Sequence, residues 1–380
     1  MSLQDLTRNA VDVLPEGGLE AKLELGRPLR VKLGIDPTGP DIHLGFAVVL
    51  HRLRAFQDAG HTAVLIVGDY TARIGDPSGR SKERQVLPDD VLDRNARLFA
   101  EQAYRILDRE RMEIRFNGEW LGGLDYAELV RLTRTGTVAR LLERNDFRER
   151  ISSGAPISVS ELLYPFAQGY DSVAVGADIE VGGTDQLYNL LMGRDVMQSY
   201  GLEPQAVITY ELLVGTDGVE KMSKSVGNYV GIDERPEEQF GKVMSIPDAA
   251  LDQWWRLCLD ADAPDTDAMK SKLALARGVV ERYHGGAAAD LAEAHFTRVV
   301  RERQAPAEVP DAPLPSSDPV HLPSLLADAF GLSTSEARRL IAQGGVKVDG
   351  ATVAELDLPR DTLANAVVQA GRRRFVRLVG

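Results

Sequence analysis

An almost unbroken apolar run, Ala63-Val-Leu-Ile-Val-Gly68, limits the folds open to this chain more than any other segment. A strand that is apolar on both faces is typical of a parallel sheet covered by helices on both sides. Strand and helix patterns alternate around it, with strands predicted at 29–35 and 112–116 and helices at 42–57 and 88–108. This order predicts a doubly wound, Rossmann-type α/β domain, whose ligands bind at the carboxyl ends of the strands.

Composition and charge narrow the class of protein. A chain of 380 residues has room for two or three domains. Its net charge of −13 argues against a general nucleic-acid coat protein but leaves room for a local basic patch. The single cysteine, Cys258, permits no internal disulfide and suits a reducing compartment. No apolar run approaches the length of a membrane span, so we expect a cytoplasmic protein without a membrane partner.

The last 60 or so residues read as a separate basic unit behind a linker. Five prolines within 305–320 predict a semi-rigid linker without packed structure. Beyond it, Ser333-Thr-Ser-Glu336 predicts the start of a helix, and Asp349-Gly350 predicts a hairpin turn. Residues 320–380 hold eight Arg and Lys against six Asp and Glu, in an otherwise acidic chain. The basic strand at 372–377 either contacts RNA phosphates or is simply a solvated surface strand.

Two short segments have the residues needed to hold a nucleoside triphosphate. His43-Leu44-Gly45-Phe46 opens a predicted helix, where backbone N–H groups and the helix dipole attract phosphate. Lys221-Met-Ser-Lys-Ser225 lies in a Gly-flanked loop and adds two cations for the β- and γ-phosphates. Each segment is weak alone, because lysine and serine are frequent in exposed loops. Together they predict two sides of a triphosphate site.

Three polar residues at helical spacing predict a pocket for a small polar ligand. Tyr164, Gln168 and Asp171 stand at i, i+4 and i+7 and share one face of a helix. The flanking residues are mostly apolar, so this face is not expected to be wide open to water. A buried carboxylate, amide and phenol can together bind an ammonium group and a hydroxyl. The alternative is an ordinary polar outer face.

Two glycine-containing loops follow predicted strands. Read alone, Gly75-Asp-Pro-Ser-Gly79 is a surface turn, but it lies at the carboxyl end of a central strand, where this architecture binds ligands. The loop Gly182-Gly-Thr-Asp-Gln186 allows close approach of the backbone, and Asp185 is placed to hold a ribose hydroxyl.

Taken in chain order, these motifs resemble the signature of the bacterial tyrosyl-tRNA synthetases, which are class I aminoacyl-tRNA synthetases. The matching segments are Asp36-Pro-Thr38, His43-Leu-Gly45, Gly75-Asp-Pro-Ser-Gly79, Tyr164…Gln168…Asp171, Gly182-Gly-Thr-Asp-Gln186 and Lys221-Met-Ser-Lys-Ser225. The resemblance covers nearly the whole chain. It implies a catalytic domain at 1–231, a helical anticodon-binding domain at 232–304, the linker at 305–320 and a small α+β, S4-like RNA-binding domain at 321–380.

The resemblance also implies roles for individual residues. A tyrosine pocket would be formed by Gly34, Asp36, Asp76, Tyr164, Gln168, Asp171 and Gln186. ATP would be bound by Thr38, His43, Gly45, Gly183, Asp185, Lys221, Lys224 and Ser225, with His43, Lys221 and Lys224 as the catalytic groups. Contacts to tRNA would come from Arg338, Arg339, Lys347, Arg372, Arg373 and Arg374.

The implied reaction joins L-tyrosine to tRNA(Tyr) through a tyrosyl-adenylate, in a homodimer without a DNA partner. ATP is then a substrate, and Mg²⁺ is expected to arrive with it rather than in a protein metal site. Two positions depart from the family pattern: Phe46 replaces a second signature histidine, and Lys32 stands where a tyrosine is frequent. A tryptophanyl-tRNA synthetase or a non-catalytic RNA-binding relative are the alternatives that the residues leave open.

Overall fold

The predicted alternation of strands and helices forms an α/β sheet in a computed structural model that describes residues 2–78, 87–301, 309–371 and 374–380. Its strands are β1 (Ala10–Leu14), β2 (Arg30–Ile35), β3 (Thr62–Val67), β4 (Met112–Phe116), β5 (Ile179–Gly183) and β6 (Ala206–Tyr210). They lie in the order β1-β6-β5-β2-β3-β4, with neighbours parallel except β1, which runs antiparallel to β6. The doubly wound fold is therefore confirmed.

The direction of winding reverses between β2 and β5. From β2 the chain moves outward to β3 and β4, and then returns to β5 on the other side of β2 before reaching β6. At such a reversal the connections leave the sheet toward opposite faces and open a crevice at the carboxyl ends of the two strands. The segments that follow Ile35 and Gly183, the last residues of β2 and β5, meet at this crevice.

Helices cover the sheet and continue beyond it. They are α1 (Leu3–Leu6), α2 (Gly18–Leu23), α3 (Leu44–Asp58), α4 (Thr71–Ile74), α5 (Asp89–Ala103), α6 (Gly118–Leu121), α7 (Tyr126–Thr133), α8 (Val138–Leu141), α9 (Asn145–Ser152), α10 (Val159–Val175), α11 (Leu187–Ser199), α12 (Pro236–Met244), α13 (Leu251–Leu259), α14 (Ala268–His284) and α15 (Gly286–Phe296). α3 and α5 confirm the helices predicted at 42–57 and 88–108. In the part of the chain that the structure describes, no helix is long and apolar enough to cross a membrane.

The chain divides into two compact units. One contains the residues up to Arg235 together with Lys242–Leu275, and the other contains Pro236–Gly241 together with Ala276–Gly380. The division falls within helices α12 and α14, because each of these helices contributes to both units. The functional domains expected to end at residues 231, 304 and 320 remain a prediction.

The end of the second unit is a small α+β structure. Its elements are β7 (Asp311–Pro313), β8 (Val320–His321), α16 (Leu322–Phe330), α17 (Thr334–Ala342), β9 (Val346–Val348), β10 (Ala351–Thr352), β11 (Asp357–Leu358), α18 (Arg360–Leu363), β12 (Val367–Ala370) and β13 (Arg374–Val379). Ser333 caps α17 by accepting a hydrogen bond from the Glu336 N–H at 3.2 Å. Asp349 and Gly350 both have positive φ, as a type I′ hairpin turn requires.

The segment predicted as an unpacked linker contains a strand. Within the described part of 305–320, β7 pairs in parallel with β13 at the edge of the sheet β10-β9-β12-β13-β7. Leu314 follows it and is buried in the core of the unit. Proline is tolerated on an edge strand, because the missing N–H would face outward. The linker prediction is therefore wrong from Asp311 onward, and 302–308 lie outside the described residues.

Candidate functional site

A cavity of about 380 Å³ opens at the carboxyl ends of β2 and β5. Every residue expected to bind tyrosine or ATP lines it: Gly34, Asp36, Thr38, His43, Gly45, Asp76, Tyr164, Gln168, Asp171, Gly183, Asp185, Gln186, Lys221, Lys224 and Ser225. The structure thus brings together the segments that the sequence keeps apart. The reason is that the parallel strands and the helices after them meet at one edge of the sheet.

Asp171 is the most deeply buried carboxylate of the cavity, with 2% of its surface exposed. The Trp120 Nε1–H donates to its Oδ1 at 2.8 Å, and the Asn117 side-chain amide donates to its Oδ2 at 3.3 Å. Burial raises the pKa of Asp171 to about 7, although Lys32 and these two hydrogen bonds act in the opposite direction. A ligand hydroxyl that donates to Asp171 would find a carboxylate already fixed in orientation.

Trp120 and Asn117 are absent from the sequence-based predictions. Asn117 directly follows β4, and its Oδ1 accepts from the Tyr70 N–H at 3.0 Å, so it joins the end of β4 to the segment after β3. The same rule that points to the carboxyl ends of the other parallel strands would have indicated Asn117. Trp120 lies in α6, and no comparable pattern in the sequence indicates it.

A second group of hydrogen bonds fixes the other acidic groups of the cavity. The Tyr164 hydroxyl donates to Asp36 Oδ2 at 3.0 Å, and Thr71 Oγ1 donates to Asp36 Oδ1 at 2.7 Å. The Gln186 side-chain amide donates to Asp76 Oδ2 at 2.9 Å. Two carboxylates are therefore held at the cavity wall, and this is the environment that stabilises an ammonium group.

His43 lines the cavity at the N-terminus of α3. Its ring is 5% exposed, and its Nδ1 has no hydrogen-bond partner among the described residues. Burial, together with the charges of Lys224 and Lys221, lowers the pKa of His43 to about 3. The imidazole is therefore neutral at physiological pH, and it offers hydrogen bonds rather than a positive charge.

Phe46, one of the two departures from the family pattern, packs against the His43 ring. Its ring stacks on the His43 ring at 4.3 Å between centroids, and it also meets the Phe99 ring edge-on at 5.8 Å. Phenylalanine cannot donate a hydrogen bond. Here the position instead holds the His43 imidazole in place by apolar packing.

The two lysines of the second motif differ in their surroundings. A Cβ placed on Gly39 would lie 2.8 Å from Lys224 Nζ, so this amine lies directly over the loop after β2. Burial lowers the pKa of Lys224 to about 8, although Asp41 acts in the opposite direction. Lys221 forms an ion pair with Asp185 at 2.8 Å. Lys221 and Asp185, expected to meet the pyrophosphate and the ribose, are thus in contact with each other.

Asn228 holds the loop that carries both lysines. Its Oδ1 accepts from the Ser223 N–H at 2.8 Å, and its Nδ2 donates to Asp217 at 2.6 Å and to the Lys221 carbonyl at 3.3 Å. Asn228 is buried, and a Cβ on Gly215 would lie 2.2 Å from its side chain. The Asn228 amide therefore helps to fix the backbone between the two lysines.

We expect Asn228→Ala to raise the KM for ATP and to slow adenylate formation by about tenfold or more, because loop N–H and C=O groups lose their partner. The affinity for tyrosine should be unchanged, since Asn228 does not line the cavity. Pre-steady-state kinetics and calorimetry measure the two effects. The surface variant Asn145→Ala is the matched control. A loss of tyrosine affinity as large as the loss of rate would contradict the role of Asn228 in the loop.

The residues expected to contact tRNA lie in the second unit. Arg338 and Arg339 are exposed on α17, Lys347 is half-buried on β9, and Arg374 is exposed at the start of β13. Arg372 and Arg373 lie outside the described residues.

The sequence of this chain is similar to those of known proteins of one family. A family described as tRNA synthetases class I (W and Y) matches residues 24–300. The tyrosine–tRNA ligase of Geobacter sulfurreducens is 47% identical over 98% of this chain and 97% of its own length. That of Moorella thermoacetica is 45% identical over 99% and 95%.

Solved structures show the same fold. The tyrosyl-tRNA synthetase of Archaeoglobus fulgidus, solved in complex with L-tyrosine, matches with a TM-score of 0.62 at 21% identity and covers 77% of this chain and 98% of its own. A truncated mitochondrial tyrosyl-tRNA synthetase of Aspergillus nidulans matches with a TM-score of 0.63 at 20% identity, over 77% and 91%.

Proposed function

This chain belongs to the tyrosine–tRNA ligases, a branch of the class I tRNA synthetases for tryptophan and tyrosine, and on that premise we propose that it activates L-tyrosine with ATP and transfers it to tRNA. The observation that carries the proposal is one cavity lined both by the buried Asp171 carboxylate and the Gln168 amide and by the two lysines, Lys221 and Lys224.

The first step joins the tyrosine carboxylate to the α-phosphorus of ATP. A new O–P bond forms as the bond from the α-phosphorus to the bridging oxygen of the β-phosphate breaks, and pyrophosphate leaves. The attacking carboxylate is already ionised, so the step needs neither a protein nucleophile nor a general base. Its rate then depends on positioning the two substrates and on stabilising the charge that develops on the phosphates.

We assign the positioning of tyrosine to the acidic side of the cavity. Asp171 accepts from the phenol hydroxyl, while Asp76, Tyr164 and Gln168 surround the ammonium group. Gly34 supports this arrangement, because a Cβ on it would meet no atom within 4 Å and would project into open space. A side chain at this position would occupy volume that the amino acid needs.

We assign the triphosphate to the opposite side. Thr38, His43 and the Gly45 backbone meet ATP, Asp185 and Gly183 meet the ribose, and Lys221, Lys224 and Ser225 meet the departing pyrophosphate. A Cβ on Gly45 would lie 3.1 Å from the His43 ring, so a larger residue would crowd the helix N-terminus where phosphate approaches. We propose that Mg²⁺ comes with the triphosphate, since this ion keeps several waters and binds through phosphate oxygens.

In the second step, a hydroxyl of the terminal ribose of tRNA attacks the activated carbonyl carbon, and AMP leaves. We propose that Arg338, Arg339, Lys347 and Arg374 contact tRNA phosphates, in keeping with the expected basic surface of this unit. Arg372 and Arg373 stay predictions of the sequence. We place the reaction in the cytoplasm, where tRNA is charged for protein synthesis.

We further propose a homodimer. Apolar side chains are exposed along the segment between β4 and β5, with Tyr126 at 82%, Val138 at 60% and Val159 at 74%. Exposed apolar side chains that are close in the chain support a surface that another subunit covers. Sedimentation analysis measures the association, and a monomer at micromolar concentration would contradict it.

Amino-acid-dependent exchange of pyrophosphate into ATP tests the proposed function. L-tyrosine alone should sustain the exchange, because the phenol hydroxyl satisfies the buried Asp171. Exchange with tryptophan instead would favour a tryptophanyl-tRNA synthetase. No exchange with either amino acid would favour a non-catalytic RNA-binding relative.

A further inference from the structure

Lys32 departs from the family pattern, and the mechanism above does not use it. It lies on β2, two residues before Gly34 and therefore on the same face of the strand. Its side chain has no exposed surface and does not line the cavity. A lysine with no access to water requires partners within the fold, because an unpaired buried ammonium is costly.

The partner of Lys32 is Glu180, directly opposite on β5. The two residues are aligned in the parallel register of β2 and β5, and Lys32 Nζ lies 2.8 Å from Glu180 Oε1, with neither side chain exposed. Lys32 Nζ also donates to Ser172 Oγ at 2.8 Å and to the Gln168 carbonyl at 3.0 Å. All three N–H groups of the ammonium are therefore satisfied.

The Glu180 carboxylate receives donors on both oxygens. Its Oε1 accepts from the Gln168 Nε2 at 3.2 Å as well as from Lys32. Its Oε2 accepts from Ser172 Oγ at 3.2 Å and from the Gln205 side-chain amide. A carboxylate has about four acceptor positions, so it has no need of a further donor.

This arrangement determines how the Gln168 amide is turned. Its NH₂ donates to the Glu180 carboxylate, and the reverse orientation would place two acceptor oxygens, that of Gln168 and Glu180 Oε1, against each other. Gln168 lines the cavity, and with its NH₂ bonded to Glu180 its side-chain oxygen is the polar atom left for a ligand, from which it can accept a hydrogen bond but to which it cannot donate one. An acceptor at this place suits an ammonium group and disfavours a ligand group that only accepts.

We propose that the buried Lys32–Glu180 pair is a positioning device, which turns the Gln168 carboxamide so that its oxygen receives the ammonium group of the amino acid. The proposal rests on the proposed function, which puts the amino acid at Gln168. It predicts that the pair affects recognition of the ammonium group selectively, and that the rest of the substrate is bound as before.

The experiment compares two ligands by calorimetry. L-tyrosine carries the ammonium group, and 3-(4-hydroxyphenyl)propionate is the same molecule without it. In the paired variant Lys32→Met with Glu180→Leu, no charge is left unpaired, and Gln168 loses the carboxylate that orients it. We expect the Kd for L-tyrosine to rise about tenfold and the Kd for the deaminated analogue to change less than about twofold.

Two further variants sharpen the comparison. Gln168→Leu removes the acceptor itself, so adding the paired change to it should cause no additional loss of L-tyrosine affinity. The buried pair Arg150–Glu161 is the matched control. Glu161 lies in the first turn of α10, the helix that carries Gln168, and Arg150 lies in α9, with its Nη1 2.6 Å from Glu161 Oε1. Neither residue lines the cavity. Arg150→Met with Glu161→Gln should leave the ratio of the two affinities unchanged.

Thermal melting establishes that each variant is folded. If the first pair does not fold, Lys32→Met with Glu180→Gln replaces it. This variant retains an amide beside Gln168 and should lose affinity for L-tyrosine selectively but less. Equal weakening of both ligands, or no weakening of either, would overturn the proposal and leave the proposed function intact. Failure of the wild-type protein to bind L-tyrosine would overturn both.

Discussion

Replacing Lys224 by alanine is expected to slow formation of tyrosyl-adenylate about a hundredfold or more, while tyrosine binding stays nearly unchanged. The Lys224 amine lies over Gly39, at the side of the cavity assigned to the triphosphate. The charge that it stabilises grows as pyrophosphate departs, so its removal affects the transition state more than the bound amino acid. Single-turnover kinetics measure the rate, and calorimetry with L-tyrosine measures binding.

The matched control for this change is Lys270→Ala. Lys270 is an exposed helical lysine whose only ion pair among the described residues is with Asp267, three positions away on the chain. We expect this variant to retain the wild-type rate. An equal loss of rate and of tyrosine affinity in Lys224→Ala would contradict the assignment of Lys224 to the pyrophosphate.

Replacing Asp171 by asparagine is expected to lower kcat/KM for tyrosine by about ten- to a hundredfold, with little change for phenylalanine. The carboxylate accepts from Trp120 and Asn117 on separate oxygens. Asparagine has one acceptor oxygen, so the phenol, the indole and the amide compete for it, and one donor is left unpaired. Pyrophosphate exchange with both amino acids gives the selectivity directly.

The pH dependence provides a second measurement on Asp171. Burial raises its pKa to about 7, with Glu180 acting in the same direction and Lys32 against it. The ionised acceptor is therefore present above pH 7 and is lost as the pH falls below 7. Wild-type affinity for tyrosine should weaken over that interval, and the asparagine variant should show no such step. Asp58→Asn, on the surface of α3, serves as the control. If Asp171→Asn left the selectivity for tyrosine over phenylalanine unchanged, the assignment of the phenol hydroxyl to Asp171 would be contradicted.

The local sequence was sufficient to predict the strands and the helix that carry the candidate site. The apolar run that becomes β3 is buried on both faces, and a strand of this kind requires a parallel sheet with helices on both sides. Because parallel strands end at the same edge, the motifs after β2, β3 and β5 could be placed together without any structure. The face formed by Tyr164, Gln168 and Asp171 followed from helical geometry alone.

Local sequence was insufficient to predict the edge strands β1 and β7. β1 is short and half-exposed, and only its pairing with β6 makes it a strand. β7 lies in a proline-rich segment, and it is a strand because β13 has a free edge at that position. Pairing between distant segments is a tertiary property, and the strand propensity of a segment of three to five residues does not predict it.

The sequence alone predicts a parallel α/β sheet, with a triphosphate site at its edge and a polar pocket beside it, because periodicity and motif order depend only on near neighbours. The tertiary structure decided which buried groups meet: Lys32 with Glu180 across two strands, and Trp120 and Asn117 with Asp171. Such contacts depend on register and on the direction of each side chain. An isolated lysine in an apolar strand therefore stays ambiguous until its partner on the next strand is known.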